Sequence, residues 1–193
     1  MPARPRLAPE DQLTIEEFLA FTDERPKGER WELIEGVAVL NPSPLHVHQV
    51  IVANLIHALL NEKERLHAAW LPSPGIGTRV PASARSLPQP DVFVRASEPS
   101  WDPVTDDALV IFEVLSRSNT KADQAWRRKV YASVPNCQHY VTVSLKDTDV
   151  TAYDRETNWS ARTVTGRDSV LDLPTLAVRL PLEAIYRYTP IGA

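Results

Sequence analysis

The chain has a single cysteine, no long apolar run and no surplus of positive charge. Cys137, being alone, forms no internal disulfide, in keeping with a reducing cytoplasm. No base partner is evident beside it, so it reads as a structural residue. Runs such as ALVIF at 108–112 are far shorter than the roughly 20 residues of a membrane helix. The opening MPARPRLAPEDQ lacks the apolar centre of a signal peptide, so a cytoplasmic protein with no membrane partner is expected. A formal net charge of −4 gives no overall attraction to a phosphate polyanion. Nucleic-acid binding would therefore need a local basic patch or metal ions. Repeats and low-complexity linkers are missing as well, which leaves one domain.

What is present suits a globular fold: 193 residues, 43% hydrophobic and 24% charged, enough to bury a substantial core. Residues 1–12, rich in proline, read as a flexible tail, and 13–193 as the domain. Thr14 and Glu17 have capping-box spacing before IEEFLAF, predicting a short helix with Ile15, Phe18, Leu19 and Phe21 partly inward. RWELIEGVAVLN (30–41) reads as a hairpin around Glu35-Gly36. From His48 to about Leu66 the apolar residues recur at helical spacing. AAWLPSPGIGTRVP, PDVFVRA and ALVIFEVLS (108–116) are candidate strands, and those from 91 to 116 should lie at the centre. NTKADQAWRRKVYAS has helix formers with Pro135 just beyond. HYVTVSL and DVTAYDR flank a turn, NWSARTVTGRD is a candidate further strand, and Leu180, Leu182, Ile185 and Tyr186 suggest a short closing helix. The sum is an α+β fold.

Glu113 is the anomaly, a carboxylate inside an apolar strand. Pro99 and Pro103 disfavour the helical crossover that parallel pairing of 91–95 with 108–116 would need. Antiparallel pairing instead sets Asp91, at the start of one strand, opposite Glu113, near the end of the other. Two carboxylates in an apolar sheet repel and lose hydration. A hard divalent cation, Mg²⁺ or Mn²⁺, would relieve that and could acidify a bound water. The plainer alternative is that Asp91 caps a loop after Pro90 and Glu113 pairs with an arginine or is partly exposed at a sheet edge.

The order of TIEEFLAF, WELIEG, NPSPLHVHQVIVANL, PDVFV, FEVLS and the helix carrying Asp123 and Tyr131, followed by HYVTV, resembles the Uma-type family within the PD-(D/E)xK restriction-endonuclease-like superfamily. The resemblance spans about residues 13–155. It implies a restriction-endonuclease-like core, with a central mixed β-sheet flanked by helices and a metal-dependent nuclease site acting on DNA. Asp91, Glu113 and the backbone carbonyl of Val114 fall on its metal-ligand positions, and Glu32 matches a further acidic residue. Where the plain pattern has lysine two residues after the glutamate, this chain has Leu115. The family's basic residue lies on the next helix, in a spacing matched here by Asp123, Arg127 and Tyr131, with arginine in place of lysine. Arginine stays protonated and can position groups or stabilise anionic charge, but it does not take a proton from water. The alternative function is therefore a catalytically impaired nuclease fold that binds nucleic acid or protein. A bland reading of the helix is an i,i+4 Asp123–Arg127 ion pair.

Other signals are weaker. RRK at 127–129, with Arg117 and Lys121, is the best local basic patch, or else a solvated helix face. His46-x-His48 does not make a zinc site, and His48 either lines the cleft or has a capping or packing role. Gly75-x-Gly77 opens no evident helix, so it suggests a turn or bulge and no phosphate loop. The five tryptophans are scattered, most of them reading as core or partly buried. Ser116 and Ser118 have no His/Asp arrangement for nucleophilic catalysis. Edge strands after 138 make a homodimer conceivable.

Overall fold

The structure is a computed structural model and describes residues 12–96, 98–116 and 119–192. The tail expected at 1–12 lies, but for Gln12, outside the described residues, as do Arg117 and Ser118. α1 (Ile15–Asp23) starts on the anticipated Thr14–Glu17 capping box and buries Ile15 and Phe18. β1 (Arg30–Ile34) and β2 (Val37–Asn41) pair antiparallel from Ile34↔Val37. Glu35 (φ 50°) and Gly36 (φ 79°) make the two-residue turn with the left-handed backbone a tight hairpin requires. α2 (His46–Leu66) begins two residues earlier than the apolar periodicity suggests.

β3 (Leu71–Pro74), β4 (Gly77–Thr78), β5 (Val92–Arg95), β6 (Val104–Thr105) and β7 (Ala108–Leu115) follow, then α3 (Lys121–Tyr131). After these come β8 (His139–Ser144), β9 (Asp149–Asp154), β10 (Ser160–Thr165), β11 (Val170–Leu173), β12 (Val178–Pro181) and α4 (Leu182–Tyr186). Six strands form a mixed sheet in the order β10-β9-β8-β7-β5-β3. Only β7–β8 is parallel, and α3 lies in the crossover that such a connection needs.

Both faces of β7 are covered, which accounts for the apolar residues on either side of Glu113. Val110, Phe112 and Val114 pack with Val92 and Val94 against Ile51, Leu55 and Leu59 of α2. Ile111 and Phe93 face the other way, against Val130 and Tyr131 of α3 and Tyr140 of β8. Leu180, expected in the closing helix, sits instead in β12. Leu171, Leu173, Val178 and Leu180 are buried at a spacing of two, the strand period, and form a hairpin before α4. The loop 97–107 also holds a strand not anticipated, β6, which pairs parallel with β4. Trp70 is buried and Trp101 is fully exposed. Among the described residues no helix is long and apolar enough to cross a membrane.

Candidate active site

The antiparallel pairing of β5 with β7 is present, in the register Val92↔Phe112. Extended by one residue it puts Asp91 opposite Glu113, and the Asp91 amide donates to the Phe112 carbonyl at 3.1 Å. The approach to Asp91 depends on Gly75. A Cβ there would lie 1.5 Å from the Pro90 carbonyl oxygen, and the Gly75 amide donates to the Asp91 carbonyl at 3.1 Å. Glycine is thus needed for a close backbone crossing.

Asp91 is buried with three partners. The Val114 amide donates to Oδ2 at 2.8 Å, Arg30 Nη1 donates to Oδ1 at 3.2 Å, and His48 Nε2 lies 3.3 Å from Oδ2. Burial opposes ionisation of Asp91, but His48, Arg30 and the Val114 amide overcome it and hold the carboxyl below its ordinary range. Arg30 also donates to the carbonyls of Gln89 and Pro90, at 3.0 Å each, and so ties down the segment that delivers Asp91.

Glu113 and Glu32 share one cation. Arg127 Nη1 donates to Glu113 Oε1 at 2.8 Å, and Nη2 donates to both oxygens of Glu32 at 3.0 and 2.8 Å. The Tyr131 hydroxyl donates to the same Glu113 Oε1 at 2.9 Å. Glu32 accepts two more bonds, from the Gln89 amide at 2.7 Å and from Asn41 Nδ2 at 3.0 Å. Its carboxyl is held low although burial opposes this, because Arg127, Asn41 and the Gln89 amide together favour the charged form. Glu113 is different: burial pushes it up to about 8, with Arg127 opposing and the charges of Asp91 and Glu32 adding to the rise. These same two glutamates raise Arg127 well above the usual arginine value in spite of its burial.

The helix aims this arginine. Thr120 and Asp123 form a capping box at the start of α3, so Asp123, Arg127 and Tyr131 follow at successive turns along one face. The Asp123 carboxylate is engaged at the cap, with Thr120 Oγ1 donating to it at 2.6 Å, while Arg127 reaches past it to the glutamates. The anticipated basic patch is split by this: Arg127 turns inward and Arg128 lies 5.1 Å over the Tyr153 ring.

Asp91, Glu113, Glu32, Arg127, His48 and Asp123 all line one cleft of about 330 Å³, and Val114 lines it too. Tyr131 is fully buried behind it. Among the described residues no group of three His, Cys, Asp or Glu side chains is placed to hold a metal ion, and Arg127 stands between Glu32 and Glu113. Sequence reasoning missed Arg30 and Asn41. Arg30 is two residues before Glu32 on one strand and so shares its face, and Asn41 is its cross-strand partner. That alternation was the available signal. Cys137 is buried, and burial pushes its thiol up to about 12, as befits an inert structural residue.

The arrangement of sheet and helices is shared with a solved protein described as a "putative nuclease belonging to DUF820" from Anabaena variabilis. The TM-score is 0.71 at 14% identity, covering 90% of this chain and 97% of that one. At that identity the likeness establishes a common fold. The sequence matches the Uma2 family, described as "Putative restriction endonuclease", over residues 15–183. The chain belongs to that family. No curated protein matches it.

Proposed function

We propose that the protein is a divalent-metal-dependent endonuclease that hydrolyses DNA phosphodiester bonds, with Asp91, Glu113 and the Val114 carbonyl holding Mg²⁺ or Mn²⁺. The observation that carries this is the side-by-side placement of Asp91 and Glu113 at the cleft. The donors are hard oxygens of the kind these ions prefer. Glu113 Oε1 is taken by Arg127 and Tyr131, whereas Oε2 accepts no hydrogen bond among the described residues, which leaves a lone-pair face for a cation. When bound, the ion supplies acidification of water and neutralisation of phosphoryl charge.

The chain's own groups do the positioning. Arg30 and His48 fix the Asp91 carboxylate, Tyr131 fixes one oxygen of Glu113, and Glu32 holds Arg127 with a two-point grip. Glu32, with four incoming hydrogen bonds, acts as the anchor of Arg127. Arg127 keeps its proton and places positive charge beside the phosphate, so removal of a proton from water falls to no lysine in this site.

The second reading is a catalytically impaired binding module, favoured by the Arg127 bridge itself, which already compensates two of the three carboxylates. Plasmid and single- and double-stranded oligonucleotides incubated with Mn²⁺, Mg²⁺ or EDTA, alongside D91A and E113A, separate the two. Nicking that vanishes in EDTA and in both variants supports the nuclease, and equal background throughout supports the binder. A homodimer, if formed, has β10 as its free sheet edge, since Pro72 and Pro74 deprive β3 at the other edge of donors. Sedimentation that shows a monomer at high concentration would remove it.

A further inference from the structure

We infer that the cleft seats one unpaired base beside the reacting phosphate, so that the substrate is single-stranded DNA. The inference rests on the nuclease reading above and names the form of DNA on which it acts. Four carboxylates line the cleft, those of Glu32, Asp91, Glu113 and Asp123, and the two arginines among its lining residues, Arg30 and Arg127, are each bound to carboxylates. Among the described residues no lysine lines it. A protein that grips DNA by its backbone neutralises a row of phosphates with lysine and arginine. A duplex offers a cleft little else, because its bases are stacked and paired inside the helix. Affinity that backbone charge does not supply here has to come from the base.

One wall of the cleft is apolar. Val39 is the cross-strand partner of Glu32 in the β1–β2 hairpin and lines the cleft with it, and the wall continues through Pro42, Pro44 and Leu45 into α2. Pro42, Pro44 and Leu45 are all exposed, and Leu45, at 59%, is one of four large apolar side chains left so open among the described residues. Leu145, the residue after β8, adds to the apolar lining. Pro42 and Pro44 have no N–H, so at those positions the segment presents apolar rings and no donor to a phosphate. Their fixed φ also holds the wall in place before anything binds, which lowers the cost of ordering it. The face of an unstacked base is the planar, weakly polar group that such a wall covers.

Two side-chain amides line the same cleft. Asn41 donates through Nδ2 to Glu32 at 3.0 Å, which leaves its Oδ1 as an acceptor. The Gln89 side chain makes no hydrogen bond among the described residues; only its backbone is engaged, by Glu32 and Arg30. An amide combines a donor and an acceptor, as the edges of bases do, and in a duplex the pairing edge is taken by the opposite strand. The cleft volume of about 330 Å³ falls at the small end of ligand sites, which suits a single base.

Leu45 is exposed and caps α2, where serine is the better cap, so L45S removes part of the wall and melts at or above the wild-type temperature. Fluorescein-labelled probes are titrated in EDTA, so that nothing is cleaved, and followed by anisotropy: oligothymidylate, an abasic strand with the same number of phosphates, and a blunt duplex of equal length. Expected is about tenfold tighter binding of oligothymidylate than of the other two, the scale of one packed base. L45S should lose about threefold for oligothymidylate and nothing for the abasic strand. Equal affinities for oligothymidylate and the abasic strand overturn the inference. So does a duplex that binds as tightly as the open strand, an absence of oligothymidylate binding, an L45S affinity for oligothymidylate equal to wild type, or an L45S loss that is the same for the abasic strand. Cleavage assays separate this outcome from the nuclease reading. If the wild type prefers oligothymidylate and L45S weakens that preference, but Mn²⁺ produces no cleavage of either form of DNA, the base site stands and the nuclease reading falls. Mn²⁺-dependent cleavage of duplex and open strand at equal kcat/KM, with oligothymidylate and abasic strand bound alike, gives the reverse.

Discussion

Replacement of Arg127 by methionine keeps the apolar stem and removes the charge shared by Glu32 and Glu113. The three side chains are 12%, 3% and 9% exposed, so solvent does little to replace the lost guanidinium. Removing one partner of a buried ion pair costs about 3–5 kcal/mol, because the remaining charge is left uncompensated. In a domain of this size each kcal/mol moves the midpoint by about 2–4 °C, so R127M should melt roughly 6–20 °C below wild type in EDTA at pH 7–8. R127K keeps the charge but has one ammonium where the guanidinium fork spans two carboxylates, and it should lie in between, losing about 1.5–3 kcal/mol. A second measurement follows from the same geometry. With the internal cation gone, Mn²⁺ takes over its electrostatic role, so Mn²⁺ at a hundredfold excess over the R127M Kd should stabilise R127M by about 2.7 kcal/mol and, at the same concentration, wild type by less. Thermal melts by circular dichroism, with and without Mn²⁺, read both. An R127M midpoint in EDTA within a degree of wild type would show that the bridge is not holding the carboxylates.

Further outcomes follow from neighbouring residues. Glu113 has a folded pKa of about 8 against an ordinary 4.5, so the folded state binds its proton more tightly; metal-free wild type should lose stability as pH rises from about 5 to 8, and the midpoint advantage of E113Q over wild type should widen across that window. A gap that stays constant with pH would show that Glu113 does not titrate there. G75A drives a methyl into the Pro90 carbonyl, so it should cost on the order of 1–3 kcal/mol and displace Asp91, with Mn²⁺ stabilisation reduced in proportion; full Mn²⁺ response in G75A counts against the coupling. D91A removes the acceptor for Arg30, His48 and the Val114 amide, and should abolish both nicking and Mn²⁺ stabilisation while the protein remains folded. W101A, at a fully exposed ring, should change stability by no more than about 0.5 kcal/mol; a larger loss in equilibrium unfolding would place that ring in an interface.

Side-chain periodicity and local turn chemistry made much of the fold legible in the sequence, because these are short-range signals. The capping box at Thr14, the Glu35-Gly36 turn and the two long helices all carry their instructions within a few residues. Pro99 and Pro103 went further and decided a long-range pairing, since excluding a helix left antiparallel geometry as the economical link between β5 and β7. What stayed hidden was short or non-local: β4 and β6 have two residues each, too few to show a period. The β11–β12 hairpin alternates over strands of only four residues, and Leu180 could equally be counted with the helix after it.

The site divides along the same line. The register that faces Asp91 with Glu113 follows from strand pairing alone, but the identity of the counter-charge does not. Arg127 and Glu32 are 95 residues apart in sequence, and their contact exists only because α3 crosses between β7 and β8 and turns one face toward β1. Sequence could weigh arginine against lysine as acids. It could not show that a guanidinium has two arms and that this site has two carboxylates set to receive them, which lysine, as a point charge, could not span in the same way. The substitution therefore alters more than proton chemistry: it ties the hairpin carrying Glu32 to the sheet carrying Glu113. Together with Arg30 on Asp91, it sets two fixed cations among three carboxylates, of which Glu113, pushed up to about 8, is the one whose ionisation those cations leave least supported.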